Sequence, residues 1–331
     1  MRLIIHIGAA KCGSTSIQND LALNAAPLRR NGVLIPDENL GLTGKVSGNH
    51  IWVFQNLTLP GADRSLVRRQ LVALQKTMSS EKLHTLVISA ENLINEAAFA
   101  EICAPALDLF DDIAVIAYVR RQDDYLLSAW RQWWSKQDRS FERYLGDVVG
   151  RDADWARLIA PWERAFGSRR LRLRRFDREH LVNNDVVDDF IRTAGLPQHD
   201  SKPIGGIANP TFSDGVVRLA HEVREVFSSI HDDRFYAIVW DVLGKDSLKA
   251  QPGSTLLTLA ERQRIMSVYE AGNEELRKSY FPDLAPDEPL FPAPSEQDVA
   301  SIDSAEESRL REALMLRLIA GLVKRVQGDK P

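Results

Sequence analysis

The strongest constraint on how this chain can fold lies at its start. An apolar run, Leu3 to Ile7, leads into Gly8-Ala9-Ala10-Lys11-Cys12-Gly13-Ser14-Thr15-Ser16 and then a helical pattern. A buried strand ending in a small-residue turn that opens a helix makes an anion cradle, because backbone N–H groups and the positive end of the helix dipole converge there. Further strand-like runs rich in branched residues fall at 32–35, 84–89, 113–119 and 171–175. Helix-compatible segments at 15–26, 64–78, 97–109 and 123–136 separate most of them. This alternation predicts an α/β fold, a parallel sheet of about five strands flanked by helices, with ligands beyond the carboxyl ends of the strands. After Phe176 the pattern turns helical, at 184–194 closed by Gly195, then 213–228, 256–280 and 304–326, with a Pro-rich connector over 281–294. The expected organisation is a single domain over 1–331, with an α/β core at 1–200 and a mostly helical extension at 201–331.

The spacing Gly8-x4-Gly13 resembles the P-loop of nucleotide triphosphatases, but Ser14 stands where that motif needs lysine, and Lys11 sits three residues earlier. Lysine at this earlier place, followed by x-Gly-Ser-Thr-Ser, resembles the 5′-phosphosulfate loop of the sulfotransferases that use 3′-phosphoadenosine 5′-phosphosulfate (PAPS). A second stretch, Ile113 to Val119 followed by Arg120 and then Ser128, is similar in spacing to the strand-Arg-x7-Ser segment that binds the nucleotide 3′-phosphate in that family. Arg175 to Leu181, Asp189-Phe190-Ile191 and Ala194-Gly195-Leu196 are similar to the segment that follows in the bacterial members, and Asn209-Pro210 with Ser213 to the start of their helical region. The resemblance covers residues 1–230 and implies a P-loop-like nucleotide-binding fold. It also implies in-line transfer of a sulfuryl group from PAPS to an acceptor hydroxyl, best matched by a carbohydrate or glycolipid, with PAP as product and no metal.

The residues fit that chemistry. The Lys11 ammonium is suited to the phosphosulfate bridging oxygen, which gains negative charge during transfer, while the N–H groups of Cys12, Gly13, Ser14, Thr15 and Ser16 hold the surrounding oxygens. Thr15 and Ser16 either add hydroxyl hydrogen bonds or cap the helix. Arg120 and Ser128 converge on the 3′-phosphate, unless Arg120 pairs locally with Asp123 or Asp124. A thiol at a helix N-terminus can be a nucleophile, but the phosphatase signature needs Arg six residues after Cys12, and Gln18 is there. A hydroxyl acceptor also needs a general base. The candidates are His50 in a polar loop, Glu91 at a strand end, and Asp37 or Glu38 after the second strand. His6 reads as a packed core residue, and Trp130, Trp133 and Trp134 as core packing or a stacking face. Lys202, Gly205 and Gly206 lie in a loop suited to closing over the nucleotide.

Composition narrows the partners. Lys and Arg number 42 against 46 Asp and Glu, a net charge of −4 that offers no global attraction for nucleic acid. Two cysteines, Cys12 and Cys103, make no disulfide framework or metal-ligand spacing, so a reducing, cytoplasmic setting is expected. No run approaches the length of a spanning helix. The final helix, Arg309 to Val326, is leucine-rich with Arg311, Arg317, Lys324 and Arg325; packing on its own domain is the default, with peripheral membrane contact or a second subunit as alternatives. Rival functional readings are a P-loop nucleotide kinase with a displaced lysine and a non-catalytic nucleotide-binding module.

Overall fold

The computed structural model describes residues 1–199, 212–244, 253–300 and 304–326, so the loop holding Lys202, Gly205 and Gly206, and the pair Asn209-Pro210, lie outside the described residues. Five strands, β1 (Arg2–His6), β2 (Val33–Leu34), β3 (Thr85–Ser89), β4 (Asp112–Val119) and β5 (Leu171–Arg175), form one parallel sheet in the order β2-β3-β1-β4-β5. The helices are α1 (Ser14–Leu23), α2 (Ala25–Arg30), α3 (Ile51–Leu57), α4 (Leu66–Glu81), α5 (Ala97–Cys103), α6 (Gln122–Gln132), α7 (Phe141–Val148), α8 (Trp155–Phe166), α9 (Val186–Ala194), α10 (Asp214–Glu222), α11 (Arg234–Leu243), α12 (Leu259–Tyr280) and α13 (Ser304–Val326). The predicted α/β architecture is thus the observed one.

By its contacts the chain divides into two compact units that interleave in sequence. The first holds 1–121, 154–208 and 271–291, and the second 122–153, 209–270 and 292–331.

In the first unit, β3 is buried along its whole length, as are all but the first residues of β1 and β4. Continuous apolar runs of this kind require cover on both faces of the sheet. The helix predicted at 97–109 is α-helical only to Cys103; around Pro105 the chain tightens into a 3₁₀ turn over Ala104–Asp108, since proline lacks the N–H an α-helix would use. The helix predicted from Asn184 begins at Val186, because Asn184 has a positive φ of 56° and the Asp185 carboxylate accepts from the N–H groups of Val187 and Asp188 as the cap. It ends at Gly195 in the left-handed conformation, as expected. Within it, fully buried Asp189 accepts from the Tyr118 hydroxyl at 2.8 Å and from Arg174 Nε at 2.9 Å, fixing α9 to β4 and β5. Burial alone would raise the Asp189 pKa; the bonds from Arg174 and Tyr118 outweigh it and hold the carboxylate below its ordinary value.

In the second unit, Leu126, Leu127 and Trp130 of α6 form a core with Tyr144, Leu145 and Val148 of α7, Val217 of α10, and Ile265 and Tyr269 of α12. Trp130 lies 5.3 Å from the Tyr144 ring and 5.1 Å from Phe141, so it is a core residue. The guanidinium of Arg262, 2% exposed, pairs with fully buried Asp123 at 2.5 Å and with Asp124 at 3.0 Å. The helix predicted over 213–228 stops at Glu222 and continues as a 3₁₀ turn.

Candidate active site

Three segments meet at the carboxyl ends of three adjacent strands, β3, β1 and β4. The segment after β1 is the loop expected to bind an anion. Lys11 and Gly13 both take the left-handed conformation, with φ of 61° and 80°, and this folds residues 8–13 back over the end of β1. Only glycine fits at 13: a Cβ there would come within 2.8 Å of Phe176 and 2.9 Å of Val186. At Gly8 a Cβ would run into the Ser14 side chain and lie 3.0 Å from His6 Cε1. Gly13 is also the N-cap of α1 and has no side chain to offer the first N–H groups of the helix. A helix start without a side-chain cap suits an external anion.

The loop's side chains divide by direction. Ser14 is buried and its hydroxyl donates to the Ala9 carbonyl at 2.9 Å, which braces the loop. The Ser16 N–H donates to the Gly13 carbonyl at 3.0 Å. Cys12 is fully buried, and burial pushes its thiol up to about 12 against the opposing pull of Arg120 and Lys11, so it is no nucleophile at neutral pH. Lys11 itself is half-buried at the head of the loop.

From the end of β4, Arg120 reaches to this loop, its Nη1 donating to the Lys11 carbonyl at 3.1 Å. Its guanidinium lies 5.7 Å from the centre of the Phe176 ring, and its own carbonyl accepts from the Trp155 indole at 2.7 Å. Phe176 therefore supports both Arg120 and Gly13. Trp155 escaped the sequence reading because nothing local marks an indole as a partner for a carbonyl 35 residues away. Ser128 sits half-buried in the second turn of α6, in the second unit.

From the end of β3, the chain is clipped onto the loop by the Ala90 N–H donating to the His6 carbonyl at 3.0 Å and the Asn92 N–H to the Gly8 carbonyl at 2.5 Å. Glu91, between them, is half-buried. Burial raises its pKa, opposed by the nearby Lys11 ammonium. A carboxylate destabilised by burial beside a lysine is a base with raised affinity for a proton.

The other base candidates have different environments. His50 is fully buried, where the sequence reading expected a polar loop and titration near neutral pH. Its backbone N–H donates to the Ser89 carbonyl at 2.9 Å, and ring Nδ1 lies 2.8 Å from the same oxygen. Burial lowers its pKa, with the carbonyls of Ser89 and Pro36 opposing, so the ring is neutral and shielded from water. Asp37 organises its own loop: Oδ1 accepts from the N–H groups of Asn39 at 3.0 Å and Gly41 at 2.7 Å, and Oδ2 from that of Gly44 at 2.8 Å. Its pKa falls, because those backbone bonds outweigh burial. Glu38 is exposed. His6, as read from the sequence, is a core residue, with Nδ1 2.8 Å from the Ser89 hydroxyl and a pKa lowered by burial to about 3.

Among the described residues no group of three or more His, Cys, Asp or Glu could hold a metal ion, and no helix is long and apolar enough to cross a membrane.

No protein-family model matches the chain. An uncharacterized protein of Archaeoglobus fulgidus is 25% identical over 168 residues, which are 50% of this chain and 45% of that protein, so the match spans less than half of the relative's length. The crystal structure of a sulfotransferase from Alicyclobacillus acidocaldarius aligns with 62% of this chain and 86% of its own at 17% identity, with a TM-score of 0.39. That is a distant likeness.

Proposed function

We propose that the protein is a PAPS-dependent sulfotransferase acting on an acceptor hydroxyl, with a glycan or glycolipid as the best-matched acceptor class. The observation that carries this reading is the bond from Arg120 at the end of β4 to the carbonyl of Lys11 in the glycine-bounded loop after β1. It joins Arg120 to the loop that carries Lys11, far apart in sequence, at the carboxyl ends of two adjacent strands. In this reading the loop amides and Lys11 bind the 5′-phosphosulfate, and Arg120 the 3′-phosphate; sequence spacing alone assigns the Ser128 hydroxyl to the same phosphate.

The acceptor oxygen attacks sulfur, the bond from sulfur to the phosphate oxygen breaks, and PAP departs with that electron pair. Lys11 stabilises the charge growing on the departing oxygen. Glu91 takes the acceptor proton, because it pairs proximity to Lys11 with a raised pKa, whereas His50 is sealed in the interior and Asp37 is committed to three backbone N–H groups. A metal has no part in these steps.

Calorimetric binding of PAP to the wild type and to Arg120→Ala, alongside ATP with and without Mg²⁺, tests the donor site. Micromolar or tighter PAP binding that is lost in the variant, with ATP weak and indifferent to Mg²⁺, is the expected result. Absent PAP binding, or ATP binding that strengthens with Mg²⁺, overturns the reading and favours a nucleotide kinase. PAP binding without transfer to any hydroxyl across a broad acceptor panel, unchanged by Glu91→Gln or His50→Ala, identifies a non-catalytic nucleotide-binding module.

A further inference from the structure

The longest stretch of this chain without an Asp, Glu, Lys or Arg is the seventeen residues from Val46 to Ala62, where the chain's 27% of charged residues would place about four or five. It holds α3, in the first unit. Ile51, Val53, Phe54 and Leu57 turn inward, and Trp52, Gln55 and Asn56 are exposed. Spacings of three and four residues set these last three side by side on one face. Trp52 is 63% exposed, whereas each of the other six tryptophans is buried or half-buried.

A single apolar side chain in water is ordinary, but this one stands next to the candidate base. The N–H of buried His50, just before α3, donates to the Ser89 carbonyl at the end of β3. Beside it, the Asn49 side-chain oxygen accepts from the Ile51 N–H at 3.2 Å and from the Glu91 N–H at 3.4 Å. Both partners are donors, which fixes the amide with its oxygen toward them and its NH₂ end turned away. Among the described residues that NH₂ group meets no acceptor. Trp52 follows three residues later, in the first turn of α3, a turn that rises only about 5 Å.

These groups suit one class of molecule. A hydroxyl both donates and accepts, so one that gives its proton to the Glu91 carboxylate can accept at the same oxygen from the Asn49 NH₂ group. An indole offers an apolar face to the C–H side of a sugar ring, and neighbouring carboxamides, each with a donor and an acceptor, match its further hydroxyls. An anionic acceptor or a lipid headgroup would call for Lys or Arg, and residues 46–62 have none. A simple aliphatic or phenolic alcohol would leave the carboxamides unmatched. We propose that Asn49 and Trp52 form the acceptor subsite, in which Asn49 holds the reacting hydroxyl beside Glu91, and Trp52, with Gln55 and Asn56, seats the ring of an uncharged sugar. The subsite rests on the sulfotransferase reading and narrows its acceptor class.

Because Trp52 is the exposed indole, iodide quenching of fluorescence in the PAP complex reads its occupation directly. Methyl glucoside, methyl galactoside and methyl mannoside are the probes, against methyl glucuronide, benzyl alcohol and hexanol. The expected result is shielding from iodide by at least one neutral glycoside, with the quenchable component missing in Trp52→Phe. In PAPS-dependent transfer to that glycoside, Trp52→Ala should raise KM about tenfold with PAP affinity and melting temperature unchanged, and Trp52→Phe should recover most of the loss. Asn49→Asp keeps the oxygen that braces Ile51 and Glu91 but replaces the donor end with an acceptor; it should fold normally and lose turnover. A wild type that binds no PAP sinks the sulfotransferase reading and the subsite with it. PAP binding with no shielding by any neutral glycoside, equal or stronger shielding by the glucuronide or either alcohol, or an unchanged KM in Trp52→Ala overturns the subsite alone. So does shielding produced by phosphatidylcholine vesicles or by rising protein concentration in place of sugar.

Discussion

Arg120 donates to the carbonyl oxygen of Lys11 at 3.1 Å, and the carbonyl of Arg120 accepts from the Trp155 indole at 2.7 Å. The anion loop, the end of β4 and the start of α8 are thus joined through one residue. Trp155→Phe keeps the packing and removes only the indole donor. The expected outcome is a loss of about 1 kcal/mol in chemical denaturation, with a several-fold weaker PAP affinity by calorimetry. Unchanged PAP affinity would mean that Trp155 supports the fold without positioning Arg120.

Glu91 gives a prediction of opposite sign for activity and stability. Its pKa is raised by burial in the folded protein, with Lys11 opposing. The stability linked to a raised carboxyl is present at low pH and is lost as pH rises through the folded-state value. Glu91→Gln should therefore melt higher than the wild type at pH 7. If Glu91 is the base, the variant should turn over about 10²- to 10⁴-fold more slowly with PAP affinity unchanged. The wild-type rate should climb with pH through a midpoint above the ordinary glutamate range, and the variant should lack that limb. Turnover can be read with any accepted hydroxyl or as slow hydrolysis of PAPS.

His6 makes stability depend on pH in the other direction. Burial holds its folded-state pKa at about 3, far below that of an unfolded histidine. The unfolded chain takes up a proton on this residue as pH falls below about 6.5, while the folded chain does not. Its contribution is complete above that pH and declines as pH falls toward the folded value, by on the order of 1.4 kcal/mol per unit. Denaturation of His6→Leu between pH 6 and pH 4 should show a slope shallower by one proton, with lower stability at pH 7 from the lost contact with Ser89.

Among the described residues, Gly48 is the glycine with the least room for a side chain. A Cβ at this position would overlap the backbone carbonyl of Gln18 in α1, and a backbone carbonyl cannot turn away as a side chain can. Gly48→Ala is expected to cost about 2–4 kcal/mol, to expose His50 next to it, and to weaken PAP binding by displacing α1. Native stability in this variant would show that the loop from 47 to 50 can lift off α1.

The five strands were legible because branched apolar runs bounded by polar residues specify buried parallel strands, and each observed strand falls within two residues of its expected limits. The helices α7, α8 and α11 were less legible. In α8 an internal Pro161 masks the period, and the run Phe235 to Leu243 in α11 reads equally well as a strand. At the site, the conformation of the loop after β1 was readable because its signals are local: glycine spacing and a helix start. Glu91 was readable as a strand end. The burial of His50 was not, since it depends on Ser89 and Pro36 closing around the ring. Asp37 looked like a free carboxylate for the same reason, although the glycines at 41 and 44 carried a hint: a Cβ at either would sit 3.1 Å from its oxygen.

Strand β1 does not pair with β2, the next strand in sequence. Arg2 lies in register with Thr85 on one side and Asp112 on the other. On a ribosome, β1 emerges before both of its partners and waits with both edges bare until β3 and then β4 have been made, and the loop it carries has no arginine behind it until then. Truncated chains ending before Arg120 should be sticky rather than partly active, and the nascent protein is a natural client for a chaperone that shields apolar strands.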